Sequence, residues 1–212
     1  MAHYRLATRY AVTGDRPMVA VVMGRVASGK STQAQVLGAD LGWPVLSSDQ
    51  TRKRLAGVPL HVRGDGAARA DLYSDEMSEH TYAALLEAAV REIEAGNSVI
   101  LDATFGRRRD RDALRRAIAD ARAPQGTTVR CRLLELVAST EALRGRVRQR
   151  EAQAGLTSDA RLSDFDRVDA LYESPDEDEA RWVSRVLSEA DDATTSRRVL
   201  SELVRSRRGE SA

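Results

Sequence analysis

A lone cysteine, Cys131, excludes an intrachain disulfide, so the fold has to be held by its core alone, as in proteins of a reducing compartment. The apolar alternation around it reads as a strand with the thiol turned inward. Aromatic residues make up only 4% of the chain, leaving Val, Leu, Ile and Ala to fill the interior. No apolar run reaches the roughly eighteen residues that cross a bilayer, and Met1-Ala2-His3-Tyr4-Arg5 lacks the apolar centre of a secretory signal. A cytoplasmic protein without membrane contact is expected. Charge of one sign is missing too: 33 basic against 32 acidic residues give a formal net charge of +1. That excludes the global field of a dedicated duplex-DNA binder and leaves nucleic acid a disfavoured partner. An Asn-Lys-x-Asp guanine-reading motif is absent, which argues against a GTPase. Among the basic residues only Lys30 and Lys53 are lysines.

The 212 residues, 42% hydrophobic and 31% charged, suit one α/β domain with a short appendage. Residues 1–16 are polar, show no clear period and read as a leader or linker; 17–208 read as the domain. Met18 to Met23 is a continuous β-branched-rich run, as expected of a parallel strand covered on both faces. Lys30 to Leu41 has helical spacing and stops at Gly42. Val45 to Ser47 is a short strand, Gln50 to Ala56 a helical turn, and Val58 to Tyr73 irregular. Asp75 to Ala95 is an amphipathic helix with acids in its first turn. Strands at Ser98–Asp102 and Thr127–Leu136 enclose a helix from Asp110 to Ala123. Further helices are expected to about Ala152 and around Phe165, Val168, Leu171 and Tyr172, then an acidic loop Asp176 to Glu179, a weaker strand Trp182 to Leu187 and a closing helix Thr195 to Arg205. Strands alternating with helices specify a parallel, doubly covered sheet.

Gly24-Arg25-Val26-Ala27-Ser28-Gly29-Lys30-Ser31 matches G-x-x-x-x-G-K-[S/T], the Walker A pattern. Its glycines permit a tight loop whose amides, with those of Ala27, Ser28 and Thr32, surround phosphate oxygens. Lys30 is expected to reach the β- and γ-phosphates, Ser31 to ligate Mg²⁺, and the next helix to aim its positive end at the phosphates. One of only two lysines stands in the required place.

Ligands of such sheets bind beyond the carboxyl ends of the strands. Asp49 follows the second strand and is either a general base for an acceptor hydroxyl or the cap of the next helix. Asp102 ends the third in the Walker B manner and either holds a water on Mg²⁺ or bonds the glycine loop. In Leu143 to Arg150, Leu143 and Val147 pack inward, Arg146 and Arg150 share a face as lid residues over the nucleotide, and Arg144 and Arg148 share another. Arg107, Arg108, Arg109 and Arg111 either bind an anionic acceptor or face solvent. Arg52, Arg63, Tyr73 and Arg107 are candidate acceptor contacts, with His61 and Arg69 nearby.

Taken together, Gly24 to Thr32, Ser48 to Lys53, Thr81-Tyr82, Val99 to Phe105, Arg111, Leu143 to Arg150 and Ser158-Asp159-Ala160 resemble the predicted AAA-type kinases of the P-loop nucleoside-kinase-like superfamily, relatives of gluconate kinase, chloramphenicol phosphotransferase, zeta toxin and polynucleotide kinase. The resemblance covers about Pro17 to Leu171 and implies an α/β P-loop NTPase: a five-stranded parallel sheet, helices on both faces and a helical lid. It implies ATP and Mg²⁺, a phosphotransferase acting on an alcohol group, Asp49 as the acceptor's base and Arg146 and Arg150 as phosphate contacts. The leader Tyr4 to Tyr10 resembles the junction by which such domains follow an aminoglycoside-phosphotransferase-like domain. The final strand is matched weakly. The expected acceptor is a small metabolite, sugar or antibiotic; the alternatives are a polynucleotide 5′-hydroxyl, a nucleotide sugar as for zeta toxin, or an ATP-binding regulatory module without transfer.

Overall fold

The computed structural model describes residues 2–14, 16–60, 71–152 and 162–209. Strand β1, Met18–Gly24, is buried at every position. Its alternation feeds two cores: Val19, Val21 and Met23 face one side, Met18, Ala20 and Val22 the other. Around it lie β2 (Val45–Ser47), β3 (Val99–Asp102), β4 (Arg130–Val137) and β5 (Val183–Leu187) in the order β2-β3-β1-β4-β5. Every pairing is parallel. The last strand, weakly expected from Trp182, is present from Val183 and pairs with β4 from Leu133↔Val183 to Val137↔Leu187.

Helices cover both faces, as all-parallel sheets require. One layer is α1 (Ala2–Thr13), α2 (Lys30–Leu41) and α8 (Asp192–Gly209), which bury Val12, Leu37, Leu41, Val199 and Leu203. The opposite layer is α4 (Asp75–Glu94) and α5 (Arg108–Asp120), contributing Leu85, Ala89, Ile93, Leu114 and Ile118. α3 (Ser48–Leu55) follows β2, and α6 (Thr140–Ala152) with α7 (Leu162–Ala170) forms a third cluster in which Leu143, Val147 and Phe165 pack on Ala27 of the glycine loop. No described helix is long and apolar enough to cross a membrane.

Several boundaries differ from expectation. Residues 1–16, read as a leader without a period, include helix α1, which packs on α8 and α2. α3 begins at Ser48, two residues early, so its cap position is Ser47 and Asp49 lies inside the first turn: Asp49 is not the cap. A 3-10 turn at Pro124–Gly126 delays β4 to Arg130. Among the described side chains of α7 Phe165 alone is buried, whereas Val168 and, just past the helix, Leu171 are exposed.

The basic cluster at the start of α5 also divides. Arg111 does not face solvent or an acceptor: it is 1% exposed and forms a two-pronged ion pair with Glu179, Nε to Oε1 and Nη2 to Oε2, both 2.7 Å. Its Nη1 donates to the carbonyls of Phe105 (3.0 Å) and Glu173 (2.9 Å), tying the chain leaving β3 to the segment after α7. Glu179 is therefore buried rather than part of a solvated acidic loop. The Arg111 guanidinium, through its hydrogen bonds, holds the Glu179 carboxyl below its ordinary range. A lowered carboxyl adds stability above the unfolded value, about 4.3, and loses it as pH falls through the folded one. Arg111→Met is expected to cost about 3–5 kcal/mol, because Glu179 is left charged and buried. Urea unfolding at pH 7 measures the loss, which should shrink as the solution is acidified and Glu179 protonates.

Candidate active site

The glycine loop joins β1 to α2 through backbone that side chains rarely tolerate. Gly24 has φ +142°, and a Cβ there would stand 2.7 Å from the Leu136 carbonyl oxygen and 2.9 Å from Ser28 Oγ. Gly29 holds the cap position of α2 at φ +93°, and Ala27 is left-handed at φ +64°. No side chain caps α2, and no acid sits in its first turn, so its leading amides and positive dipole end are open to an anion. Ser28 Oγ is buried within the loop with no hydrogen-bond partner among the described residues. Lys30 folds back over the loop, its Nζ 3.4 Å from the Arg25 carbonyl.

Parallel register brings the strand ends level: Asp102 of β3 pairs with Val22 of β1 and with Ser47 of β2. Asp102 is almost wholly buried, and its carboxylate accepts side-chain hydrogen bonds from Ser31 and Ser47. Burial pushes the Asp102 carboxyl up; Lys30 and the two serines pull it down, and nearby Asp49 adds a like charge that raises it. Asp49 stands across from Asp102 on α3. Its Oδ1 accepts from the Tyr73 hydroxyl at 3.2 Å, and its Oδ2 lies 3.5 Å from Lys53 Nζ. Among the described residues no three His, Cys, Asp or Glu side chains form a metal cluster. A cation here would find Ser31 and Asp102 as protein oxygen donors, a sparse set that suits Mg²⁺ bound chiefly through phosphates and water.

On the opposite side of the loop Arg146 of α6 reaches back. Its Nη1 donates to the Ala27 carbonyl at 3.3 Å and its Nη2 to the Ser188 carbonyl. Arg25 of the loop pairs with the Asp169 carboxylate of α7 and donates to Thr140 Oγ1 at 3.2 Å. Arg144 pairs instead with Asp166. The side chain of Arg150 lies outside the described residues, as do Arg63, His61, Arg69 and Ser158-Asp159-Ala160.

The remaining acceptor candidates separate. Tyr73 is 41% exposed beside Asp49. Arg52 is buried, donates to the Leu72 carbonyl (3.0 Å) and Ser78 Oγ (3.1 Å), and stacks 4.9 Å from the Tyr73 ring centre, so it braces Tyr73 rather than opening toward a ligand. Arg107 is paired with Asp75 at 2.7 Å, Arg108 with Asp176, and Arg109 with Glu79 at 3.2 Å. The structure thus gathers Lys30, Ser31, Asp102 and Asp49, with Arg146 touching the loop. Sequence reasoning missed Ser47, Arg25 and Lys53; the scarcity of lysine, and the four-residue step from Asp49 to Lys53, were the available signals.

Comparison with known proteins agrees with this fold. The profile of the family described as "AAA domain" matches residues 19–175. A gluconokinase of Sinorhizobium meliloti superposes with TM-score 0.63 at 21% identity, over 91% of this chain and 94% of that one. The APS kinase CysC of Mycobacterium tuberculosis, solved with AMPPNP and APS, gives 0.62 at 19% identity over 90% and 98%. Kti12 of Chaetomium thermophilum, solved with ADP-AlF3, gives 0.60 at 24% over 89% and 98%. An uncharacterised protein of Mycobacterium tuberculosis is 34% identical over 102 residues, 48% of this chain and 20% of its own length, so the match spans about a fifth of that relative. With about three quarters of its length matched by the profile, the chain belongs to the AAA domain family.

Proposed function

We propose that the protein is a cytoplasmic ATP-dependent kinase that transfers the γ-phosphoryl group to a hydroxyl of a small molecule, with residues 17–208 as the catalytic unit. The observation that carries this reading is the convergence of the uncapped α2 terminus and Lys30 with the Ser31–Asp102 pair, with the Asp49 carboxylate near enough to Asp102 for its charge to act on it. In this reading the amides of Gly24, Ala27, Ser28, Gly29, Lys30, Ser31 and Thr32 line the phosphates, and Lys30 spans the β- and γ-groups. Ser31 and Asp102 would hold Mg²⁺, which when bound would offset charge on the phosphate oxygens. Asp49 accepts the acceptor's proton as its oxygen attacks the γ-phosphorus; the bond to the bridging oxygen breaks, and ADP leaves with the electron pair. Arg146, and Arg150 one turn on, supply positive charge from the lid side. Tyr73 and Arg107 border the acceptor, with Arg63 assigned there from sequence and Arg52 bracing Tyr73.

The acceptor is read as a hydroxylated metabolite, sugar or antibiotic. The ion pairing of Arg107, Arg108 and Arg109 speaks against a backbone-tracking surface for nucleic acid, since a phosphate chain would have to displace their acids. ADP release from Mg-ATP, screened over sugars, polyols, aminoglycosides, nucleotide sugars and 5′-hydroxyl oligonucleotides, tests the reading. A rate rise with one of the small hydroxylated compounds is the expected result. Stimulation by oligonucleotides alone, or ATP binding with no stimulated turnover, would overturn it.

A further inference from the structure

The only two lysines of the chain each stand beside one of the two carboxylates of the site: Lys30 acts on Asp102, and Lys53 pairs with Asp49. Resting on the kinase reading above, we infer that Lys53 is a positioning residue for Asp49, fixing its carboxylate toward the γ-phosphate and the acceptor hydroxyl.

Lys53 is wholly buried, an uncommon place for an ammonium, whereas 41% of the Asp49 side chain is accessible. A charge so enclosed has to be paired and hydrogen-bonded. Here Nζ lies 3.5 Å from Asp49 Oδ2 and donates to the Leu60 carbonyl at 3.2 Å, while the Lys53 carbonyl accepts from Val58 N–H at 2.8 Å. Both halves of the residue therefore lock the chain leaving α3. The one-turn step from Asp49 to Lys53 places the ammonium behind the carboxylate, on the side away from solvent, and leaves the other oxygen, Oδ1, to Tyr73. With Oδ2 held from below, rotation of the carboxylate is restricted, and Oδ1, whose Tyr73 partner is itself exposed, is the oxygen an incoming hydroxyl can address. A compact ammonium on a slender stem suits so enclosed a place, whereas a planar guanidinium with five donors would need more room and more partners. In a chain whose Lys and Arg side chains are, apart from Lys30, otherwise all arginine, that choice points to a demand particular to this position.

The scarcity of lysine also supplies the test. Protein labelled with ¹³C,¹⁵N-lysine carries two side-chain signals. Mg-ATP should shift the Lys30 signal and leave Lys53 in place; Asp49→Asn should shift Lys53 and leave Lys30. A Lys53 signal unmoved by Asp49→Asn would overturn the inference. Turnover gives the second readout, using acceptor-stimulated transfer or, in its absence, transfer to water. Lys53→Met, which keeps the stem, is expected to lower kcat about 10- to 100-fold while leaving ATP affinity within about twofold. Combined with Asp49→Asn it should add nothing further, because both changes act through one carboxylate. Lys53→Arg should not restore the rate. Multiplying losses in the double variant would mean that Lys53 only supports the fold, and would overturn the inference. Retained transfer in Asp49→Asn with an intact Lys53 shift would instead remove the base role while leaving the pair standing, so the two failures read differently. Should Lys53→Met fail to fold, the signal shift in Asp49→Asn decides alone.

Discussion

Replacing Lys30 by alanine is expected to lower kcat/KM for ATP by about a thousandfold or more, equivalent to roughly 4 kcal/mol of transition-state stabilisation. Among the described residues no neighbouring cation is placed to substitute. Arg146 and Arg25 are already engaged with backbone and carboxylate, and Lys53 is sealed behind Asp49. The fold should survive, since Lys30 sits in the first turn of α2 with its end above the loop, where alanine is a good helix former. Thermal unfolding within a few degrees of wild type, beside lost turnover and weakened titration by ATP, checks the prediction. A second consequence concerns Asp102. Lys30 pulls the Asp102 carboxyl down against burial, so removing it lets that carboxyl rise further. A raised carboxyl needs a higher pH to ionise, and any residual activity that depends on ionised Asp102 should have its acid limb displaced upward.

Asp49→Asn separates chemistry from binding. The amide preserves shape, and its oxygen still accepts from the Tyr73 hydroxyl, but it cannot take a proton. Acceptor-stimulated turnover is expected to fall by about 10²–10⁴, the usual worth of a positioned general base, with ATP affinity retained because Asp49 stands across from the phosphates rather than among the loop amides. Like charge between Asp49 and Asp102 is relieved as well, so the Asp102 carboxyl should move down. Steady-state kinetics with calorimetric titration of ATP distinguish the outcomes: unchanged transfer would remove Asp49 from the chemistry, and equal losses in binding and turnover would assign it to the nucleotide.

The donor half of the site was legible because its signals are local. An apolar run, a spaced glycine pair, a lysine and a helical period follow one another from Met18 to Leu41, and the structure reproduces them almost to the residue. Asp49 and Asp102 were legible because parallel strands end level and ligands gather at those ends. What escaped depends on distant partners or on short, weakly apolar segments. Helix α1 shows no period because it buries Val12 while Leu6 and Tyr10 remain exposed. α3 starts at Ser48 and Asp49, residues that favour turns until Ser47 takes the position before them. Arg111 looked like one more arginine in a basic run; its partner Glu179 is 68 residues away and itself looked like part of a solvated acidic stretch. Lys53 belonged to a basic stretch on a short helix, and only tertiary packing reveals that it is the buried member. The segment between Leu60 and Asp71, where Arg63 is expected from sequence as an acceptor contact, lies outside the described residues.

A structure with a non-hydrolysable ATP analogue and Mg²⁺ tests the assembled site most directly. The expected result places the β- and γ-phosphates in the loop from Gly24 to Ser31, with Lys30 Nζ moved from the Arg25 carbonyl to within about 3 Å of phosphate oxygens. The cation should lie between Ser31 and the phosphates on the Asp102 side, with the Asp49 carboxylate facing the γ-phosphorus across a gap wide enough for one hydroxyl. An analogue seated away from the loop, or an Asp49 turned from the γ-phosphate with Lys53 still behind it, would contradict the assignment of this site to phosphoryl transfer.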